Sequence, residues 1–254
     1  MEKSQKKEVF TADKKQFLHQ NLSFTAKEQY KLLRTNLSFT LPEDEMCPVI
    51  GITSSTRGEG KSTTAINLSY VMAESGKRVL LIDGDLRLPS VASKMDIANT
   101  PGLTNLLMGQ ESQDFSVFRS DILSNWYILP SGDLPPNPPE LLGSHRMEAM
   151  LDVLKEKFDY IIVDLPPVNL VSDALAISRF ITGMVVVVRE NRTTKKHLEL
   201  CYRQLQMTNV KVLGCILNNC KNGRESYGRY KEYGYGYGYG YGYGYGYGYR
   251  RKKK

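Results

Sequence analysis

The sequence is poor in the residues that mark several common protein classes, with a single tryptophan, three histidines and four cysteines in 254 residues. Cys47, Cys201, Cys215 and Cys220 form no C-x-x-C pair, and no histidine stands at zinc-ligand spacing from them. A zinc module and a disulfide-stapled miniprotein are thereby excluded. The cysteines read as plain core residues of a reduced, cytosolic protein, a setting in which disulfides are rare. His19, His145 and His197 are isolated and read as structural or solvated. No stretch approaches the ~20 apolar residues that span a bilayer. Met1 to Gln20 is polar and lysine-bearing, without the apolar centre of a secretory signal. If such a protein works at a membrane, it must be recruited there.

What is present is a charge of +7 on a chain that is 41% hydrophobic and 24% charged. Such an excess invites nucleic acid or anionic lipid as a partner. Its location argues otherwise. Residues 221 to 254 hold nine basic and two acidic side chains, which is the whole excess, so residues 1 to 220 are electrically balanced. The body therefore has no basic surplus for nucleic acid. The same tail holds eleven of the sixteen tyrosines: Tyr227, Tyr230, Tyr233, Tyr235, Tyr237, Tyr239, Tyr241, Tyr243, Tyr245, Tyr247 and Tyr249. From Tyr233 to Gly248 it is Tyr-Gly repeated eight times, closed by Tyr249. Without aliphatic residues it cannot build a core, and it reads as disordered.

Residues 1 to 24 read as a flexible arm. Residues 25 to 220 alternate short apolar strands with amphipathic helices, the pattern of an α/β domain with a mostly parallel sheet covered on both faces. The strands are expected at Val49 to Thr53, Val79 to Asp83, Tyr127 to Pro130, Tyr160 to Asp164, Met184 to Arg189 and Val210 to Leu217. Helices are expected at Thr25 to Phe39, Lys61 to Ser75, Pro139 to Lys157, Ser172 to Arg179 and Thr194 to Met207.

The strongest chemical signal joins the first strand to its helix: Ser54-Ser55-Thr56-Arg57-Gly58-Glu59-Gly60-Lys61-Ser62-Thr63. A glycine-rich turn between a buried strand and a helix opening on Gly-Lys-Ser is a phosphate-binding loop in its required context, and it predicts a P-loop NTPase fold. Successive N–H groups of Arg57, Gly58, Glu59, Gly60 and Thr63 would point at phosphate oxygens, and the helix N-terminus adds its dipole. Lys61 would reach the β and γ phosphates of ATP, and the Ser62 hydroxyl would ligate Mg²⁺. Ser55 replaces the first glycine of the common pattern. Two apolar strands then end in carboxylates, Val79-Leu80-Leu81-Ile82-Asp83-Gly84-Asp85 and Tyr160-Ile161-Ile162-Val163-Asp164. Hard oxygen ligands of this kind suit Mg²⁺ on a triphosphate.

These motifs, the helix Glu28-Gln29-Tyr30-Lys31-Leu32-Leu33-Arg34, the segment Leu134-Pro135-Pro136-Asn137-Pro138-Pro139-Glu140 and the tyrosine tail together resemble the bacterial tyrosine kinases of capsule and exopolysaccharide biosynthesis. The resemblance is to the Gram-positive cytoplasmic form. It implies that Asp83 takes the tyrosine proton, that Asp85 and Asp164 position Mg²⁺ with Ser62, and that Asn218 contacts adenine. It also implies a homo-oligomeric ring through Glu28, Lys31 and Arg34, with lysine standing where the family has its first arginine. The tail tyrosines would be phosphorylated in trans. A transmembrane activator of the polysaccharide co-polymerase type would hold the cytoplasmic kinase at the inner face of the plasma membrane, and a cognate phosphotyrosine phosphatase would reverse the modification. No nucleic acid is implied. The chain lacks the H-R-D and D-F-G signatures of eukaryotic-type kinases.

The rival reading is a ParA/MinD-type ATPase switch cycling between monomer and dimer. Its loop reads K-G-G-x-G-K-[ST], and this chain has Thr56 in place of the extra lysine. The tail alone offers adhesive or lipid-binding roles, with Arg250 to Lys254 as a basic cluster. Each phosphate adds roughly −1.5 to −2, so about four modified tyrosines would cancel the whole basic excess.

Overall fold

The computed structural model describes residues 22–110 and 118–220. The expected arm, save its last three residues, and the expected tail with all eleven of its tyrosines lie outside them. The elements run α1 Phe24–Thr40, β1 Val49–Ser54, α2 Lys61–Glu74, β2 Val79–Asp83, α3 Val91–Met95, α4 Leu103–Met108, β3 Phe118–Arg119, β4 Trp126–Leu129, α5 Pro138–Leu142, α6 His145–Lys155, β5 Tyr160–Asp164, α7 Asp173–Ala176, β6 Gly183–Arg189, α8 Lys195–Met207 and β7 Val212–Asn218. One seven-stranded sheet has the order β3-β4-β2-β5-β1-β6-β7, with only β3 antiparallel to its neighbour.

Side chains alternate across the sheet, and this alternation sorts them between two cores. Ile50, Ile52, Leu81, Ile162 and Trp126 face α1 and α2, while Val49, Leu80, Ile82, Ile161 and Val163 face α6 and α8. Strands β1, β2 and the central residues of β5 are buried on both faces, as their continuous Val, Ile and Leu runs require. The same alternation sends Asp83, two residues after Leu81, and Asp164, two after Ile162, to the α2 side. In the parallel register Asp83 pairs with Asp164 and Ile52 also pairs with Asp164, so the phosphate loop and both carboxylates leave one edge of the sheet together. Open α/β sheets place their ligands at this edge.

Several expectations need correction. The single helix expected over 139–157 is two helices: Gly143 closes α5, and the Ser144 hydroxyl accepts from the Met147 N–H at 3.2 Å to start α6. The helix expected over 172–179 is the four-residue α7 followed by a 3₁₀ turn, Ser178–Phe180. The helix expected from Thr25 begins at Phe24, capped by Ser23, whose hydroxyl accepts from the Ala26 N–H. Strand β7 is an edge strand with Gly214, Cys215 and Leu217 exposed, and so it lacks the two-sided burial its apolar run suggested. Not all the cysteines are core residues. Cys47 and Cys201 are buried, with thiols that burial pushes up to about 12, while Cys215 and Cys220 are exposed. Helices α3 and α4 and strand β3 had no sequence signal strong enough to name. No described helix is long and apolar enough to cross a membrane.

The lone tryptophan fastens β4 to α2. Trp126 is fully buried, its indole N–H donates to the Ser69 hydroxyl at 3.0 Å, and its ring meets Tyr70 edge-on at 5.4 Å. Trp126→Ala is expected to lower the unfolding free energy by about 3–5 kcal/mol. Trp126→Phe, which loses the hydrogen bond but keeps most of the ring, is expected to cost less. Denaturant titration followed by circular dichroism measures both.

Candidate functional site

The loop between β1 and α2 is held from inside by its own glutamate. Glu59 is buried, and its carboxylate accepts from the Ser55 hydroxyl at 2.9 Å and 3.1 Å, from the Thr56 N–H at 2.9 Å and from the Thr193 hydroxyl. Ser55, the departure from the common loop pattern, thus supplies a donor to the carboxylate that shapes the loop. Outside, Arg189 donates to the Gly58 carbonyl at 2.9 Å and the Asn218 amide donates to the Glu59 carbonyl at 2.9 Å. Gly60, at φ +101°, caps α2 in the left-handed region, and a methyl group there would collide with the Asn218 amide. Glu59 and Asn218, expected at the nucleotide, are placed as braces of the loop, and Asn218 turns its amide oxygen to the Asn219 N–H at 2.8 Å.

The loop opens on a cleft of about 370 Å³ lined by Arg57, Gly58, Gly60, Lys61, Ser62 and Thr63 from the loop and helix start. Asp85, Arg87, Leu88, Ser90 and Lys94 line it after β2, Pro166, Pro167, Leu170 and Val171 after β5, and Arg189 at the end of β6. Its polar wall is predominantly cationic, as polyanion binding requires. Lys61 lies at its floor, with Nζ 2.7 Å from Asp85 Oδ2, 3.7 Å from Asp164 Oδ1 and 3.4 Å from the Ser62 hydroxyl. Burial draws the lysine down, but the charges of Asp164 and Asp85 outweigh it and hold the ammonium above its ordinary value.

The three sequence-predicted aspartates converge on this lysine without being equivalent. Asp83 is fully buried and engaged: Oδ1 accepts from the Asp85 N–H at 3.3 Å, and Oδ2 accepts from the Ser90 and Val91 N–H groups at 3.0 Å and 2.9 Å. Burial first, then the Asp164 charge, push its carboxyl up to about 7. Asp85 lines the cleft and carries the ion pair to Lys61. Asp164 is fully buried, and neither oxygen has a hydrogen bond within ordinary distance. Burial raises its pKa against the pull of Lys61 and the nearby Ser62.

A bare, buried carboxylate beside a serine hydroxyl and a second aspartate is a donor set short of positive charge, and it fits Mg²⁺. Hydrated Mg²⁺ takes only one or two carboxylates, with phosphate and water completing its shell. Sequence reasoning missed one pair here. The guanidinium of Arg87 donates from Nε to both Asp173 oxygens, at 3.2 Å and 2.9 Å, and from Nη2 to Oδ1 at 3.1 Å. Arg87 closes the strand-end motif Asp83-Gly84-Asp85-Leu86-Arg87, but nothing local indicates Asp173, 86 residues away.

The residues expected to mediate assembly sit on α1, away from the cleft. Lys31 donates to Glu28 at 2.8 Å on the exposed face. Arg34 turns inward and donates to the Val71 carbonyl at 3.0 Å, tying α1 to the C-terminal end of α2.

Residues 47–193 match the protein family described as an AAA domain. Over 204 residues, 80% of this chain and 85% of the relative, the sequence is 40% identical to tyrosine-protein kinase YwqD of Bacillus subtilis. The fold superposes on the kinase domain of Escherichia coli tyrosine kinase ETK with a TM-score of 0.74 at 31% identity, covering 85% of this chain and 80% of that one. A weaker likeness joins it to the septum site-determining protein MinD of Pyrococcus horikoshii, solved with Mg-ADP, at a TM-score of 0.59 and 25% identity over 70% of this chain and 73% of that one.

The raised pKa of Asp164 has a measurable consequence. A carboxylate held above its ordinary value costs stability once pH exceeds the folded value, and the cost disappears as pH falls back toward the ordinary 3.8. Ligand-free Asp164→Asn is therefore expected to melt above wild type at pH 7.5, with the difference shrinking as the pH is lowered. Thermal scans at several pH values test this.

Proposed function

The chain belongs to the bacterial tyrosine-protein kinases, and from that membership we infer that its cleft binds ATP and passes the γ-phosphoryl group to tyrosine hydroxyls. It is a protein-tyrosine kinase on a P-loop NTPase scaffold. One observation carries the assignment of chemistry to the cleft: Lys61 lies among Asp83, Asp85 and Asp164 at the mouth of a braced phosphate loop. Phosphoryl transfer is mostly positioning and electrostatic stabilisation, which such a floor supplies.

Loop N–H groups and the N-terminus of α2 receive the β and γ phosphates, and Lys61 exchanges Asp85 for a phosphate oxygen. Ser62, Asp85 and Asp164 would hold Mg²⁺, which when bound neutralises triphosphate charge. The tyrosine oxygen forms the new bond to phosphorus while the bond to the ADP oxygen breaks, and the tyrosine proton passes to a carboxylate. We assign that proton to Asp83. A carboxyl at about 7 is matched to a proton acceptor at neutral pH. Because its oxygens accept from the N–H groups of residues 85, 90 and 91, the assignment requires at least one of those bonds to be given up when substrate enters. Asn218, adjoining Gly60, keeps its proposed place near the adenine through the loop it supports.

The proposed acceptors are the tail tyrosines from Tyr227 to Tyr249, modified in trans within a homo-oligomer assembled through α1. The biological setting we propose is capsule or exopolysaccharide synthesis and export. There, a transmembrane co-polymerase-type activator would recruit the kinase to the inner face of the plasma membrane, and a phosphatase would reset the tail. Support comes from the family, from the exposed Glu28–Lys31 face, which carries Phe24 and Leu32 nearby, and from the electrically balanced body, which gives nucleic acid no purchase. No observation favours the ATPase switch, since Thr56 occupies the position of its extra lysine and donates its N–H to Glu59.

Full-length Lys61→Met, inert alone, is expected to gain phosphotyrosine when mixed with a wild-type chain of distinguishable size, Mg²⁺ and ATP. ATP hydrolysis without label on either chain would sink the kinase reading, and label confined to the wild-type chain would sink transfer in trans. Asp83→Ala is expected to lower phosphotyrosine formation by at least ~100-fold, the usual worth of a positioned base. A loss under about threefold would remove Asp83 from that role.

A further inference from the structure

We propose that the apolar flank of the cleft, with Leu88 and Leu170 as its two grips, seats the ring of the acceptor tyrosine. The proposal rests on the kinase reading above and assigns the acceptor subsite within it.

The flank is made by two segments that leave neighbouring strands, 84–90 after β2 and 165–172 after β5. The first contributes Leu88 and the second Pro166, Pro167, Leu170 and Val171 to the same cleft that holds Lys61 and Ser62. Leu88 is 55% exposed and Leu170 49% exposed, and neither packs into the core on either side of the sheet. Folding alone gives these leucines no reason to be apolar. Their spacing is fixed from below. Arg87, adjacent to Leu88, is locked in a forked ion pair to the fully buried Asp173, which follows the Leu170 turn by three residues. This pair holds the two walls at a set separation, and its planar, multiply bonded geometry resists sliding.

The flank lies at the γ-phosphate end of the site. Lys61 reaches toward the terminal phosphates, and the flank hangs from the same strand ends as Asp83, Asp85 and Asp164. A group resting there meets the phosphoryl group on the side away from the base of the nucleotide. Tyrosine fits the chemistry of both ends, with an apolar body for the prolines and leucines and a polar tip for the carboxylates. The occupant is a tyrosine of the Tyr-Gly repeat, Tyr233 to Tyr249, from a second copy of this chain. For Tyr235 to Tyr247, glycine on either side lets the backbone turn one tyrosine inward without carrying a bulky neighbour with it. The repeat itself is uncharged, so the cationic rim formed by Arg57, Lys94 and Arg189 does not oppose its entry.

The test uses full-length kinase and full-length Lys61→Met as acceptor, with the rate of acceptor labelling followed against acceptor and ATP concentration separately. Leu88→Ala with Leu170→Ala is expected to raise the half-saturating acceptor concentration roughly tenfold, from lost apolar contact. The half-saturating ATP concentration is expected to move less than about twofold, because the subsite assigns the flank to the acceptor and the phosphate loop to the nucleotide. A shift in ATP saturation instead would hand the flank to the nucleotide, and no shift in either would remove Leu88 and Leu170 from substrate binding. Each of those results overturns the subsite while leaving tyrosine phosphorylation standing. Absence of phosphotyrosine with wild-type kinase would overturn the kinase reading, and the subsite with it.

Discussion

Everything at the nucleotide edge of this protein is organised by a shortage of positive charge. Three carboxylates that the sheet register brings to one place gather around Lys61, and one of them has no hydrogen bond of its own. Desolvation makes such a cluster expensive in the free chain, as the raised Asp83 and Asp164 show. The deficit is itself a selectivity device. A ligand that brings cation and polyanion together relieves both the bare carboxylates and the cationic wall, whereas either partner alone relieves only one.

The phosphate loop meets a different demand, which is to keep its shape while empty. Glycines at positions 58 and 60 give it the turn, with φ of +76° and +101°, but glycine also makes a loop slack. Glu59 counters this from within, Arg189 and Asn218 counter it from the neighbouring strands, and Thr193 from the connection that follows β6. The loop is thereby tied to both β6 and β7. Its conformation belongs to the sheet as a whole rather than to ten consecutive residues.

The strands and the loop were legible in the sequence because each is a local signal: an aliphatic run buried on both faces, a carboxylate at its end, a glycine-rich turn before a helix. Assignments that depend on partners far along the chain were not. The inward direction of the Glu59 side chain rests in part on Thr193, 134 residues later, which its place between two glycines does not reveal. The brace that Asn218 gives to the Glu59 carbonyl, 159 residues away in sequence, was hidden in the same way. The break between α5 and α6 was visible as Gly143-Ser144 but was outweighed by a helical apolar pattern on both sides. Arg87 stood in view within its motif, while the buried Asp173 that orients it looked like any residue at the start of a helix.

The bond from Arg34 to the Val71 carbonyl gives α1 mechanical access to the chemistry. α2 spans Lys61 at one end and the Arg34 anchor near the other, fourteen residues in all, or about 21 Å of rigid rod. The helix is thus a rigid tie between the α1 anchor and Lys61 and Ser62. Any free energy that ligand binding spent on moving α2 would appear, in equal measure, as a changed affinity of α1 for whatever packs against it.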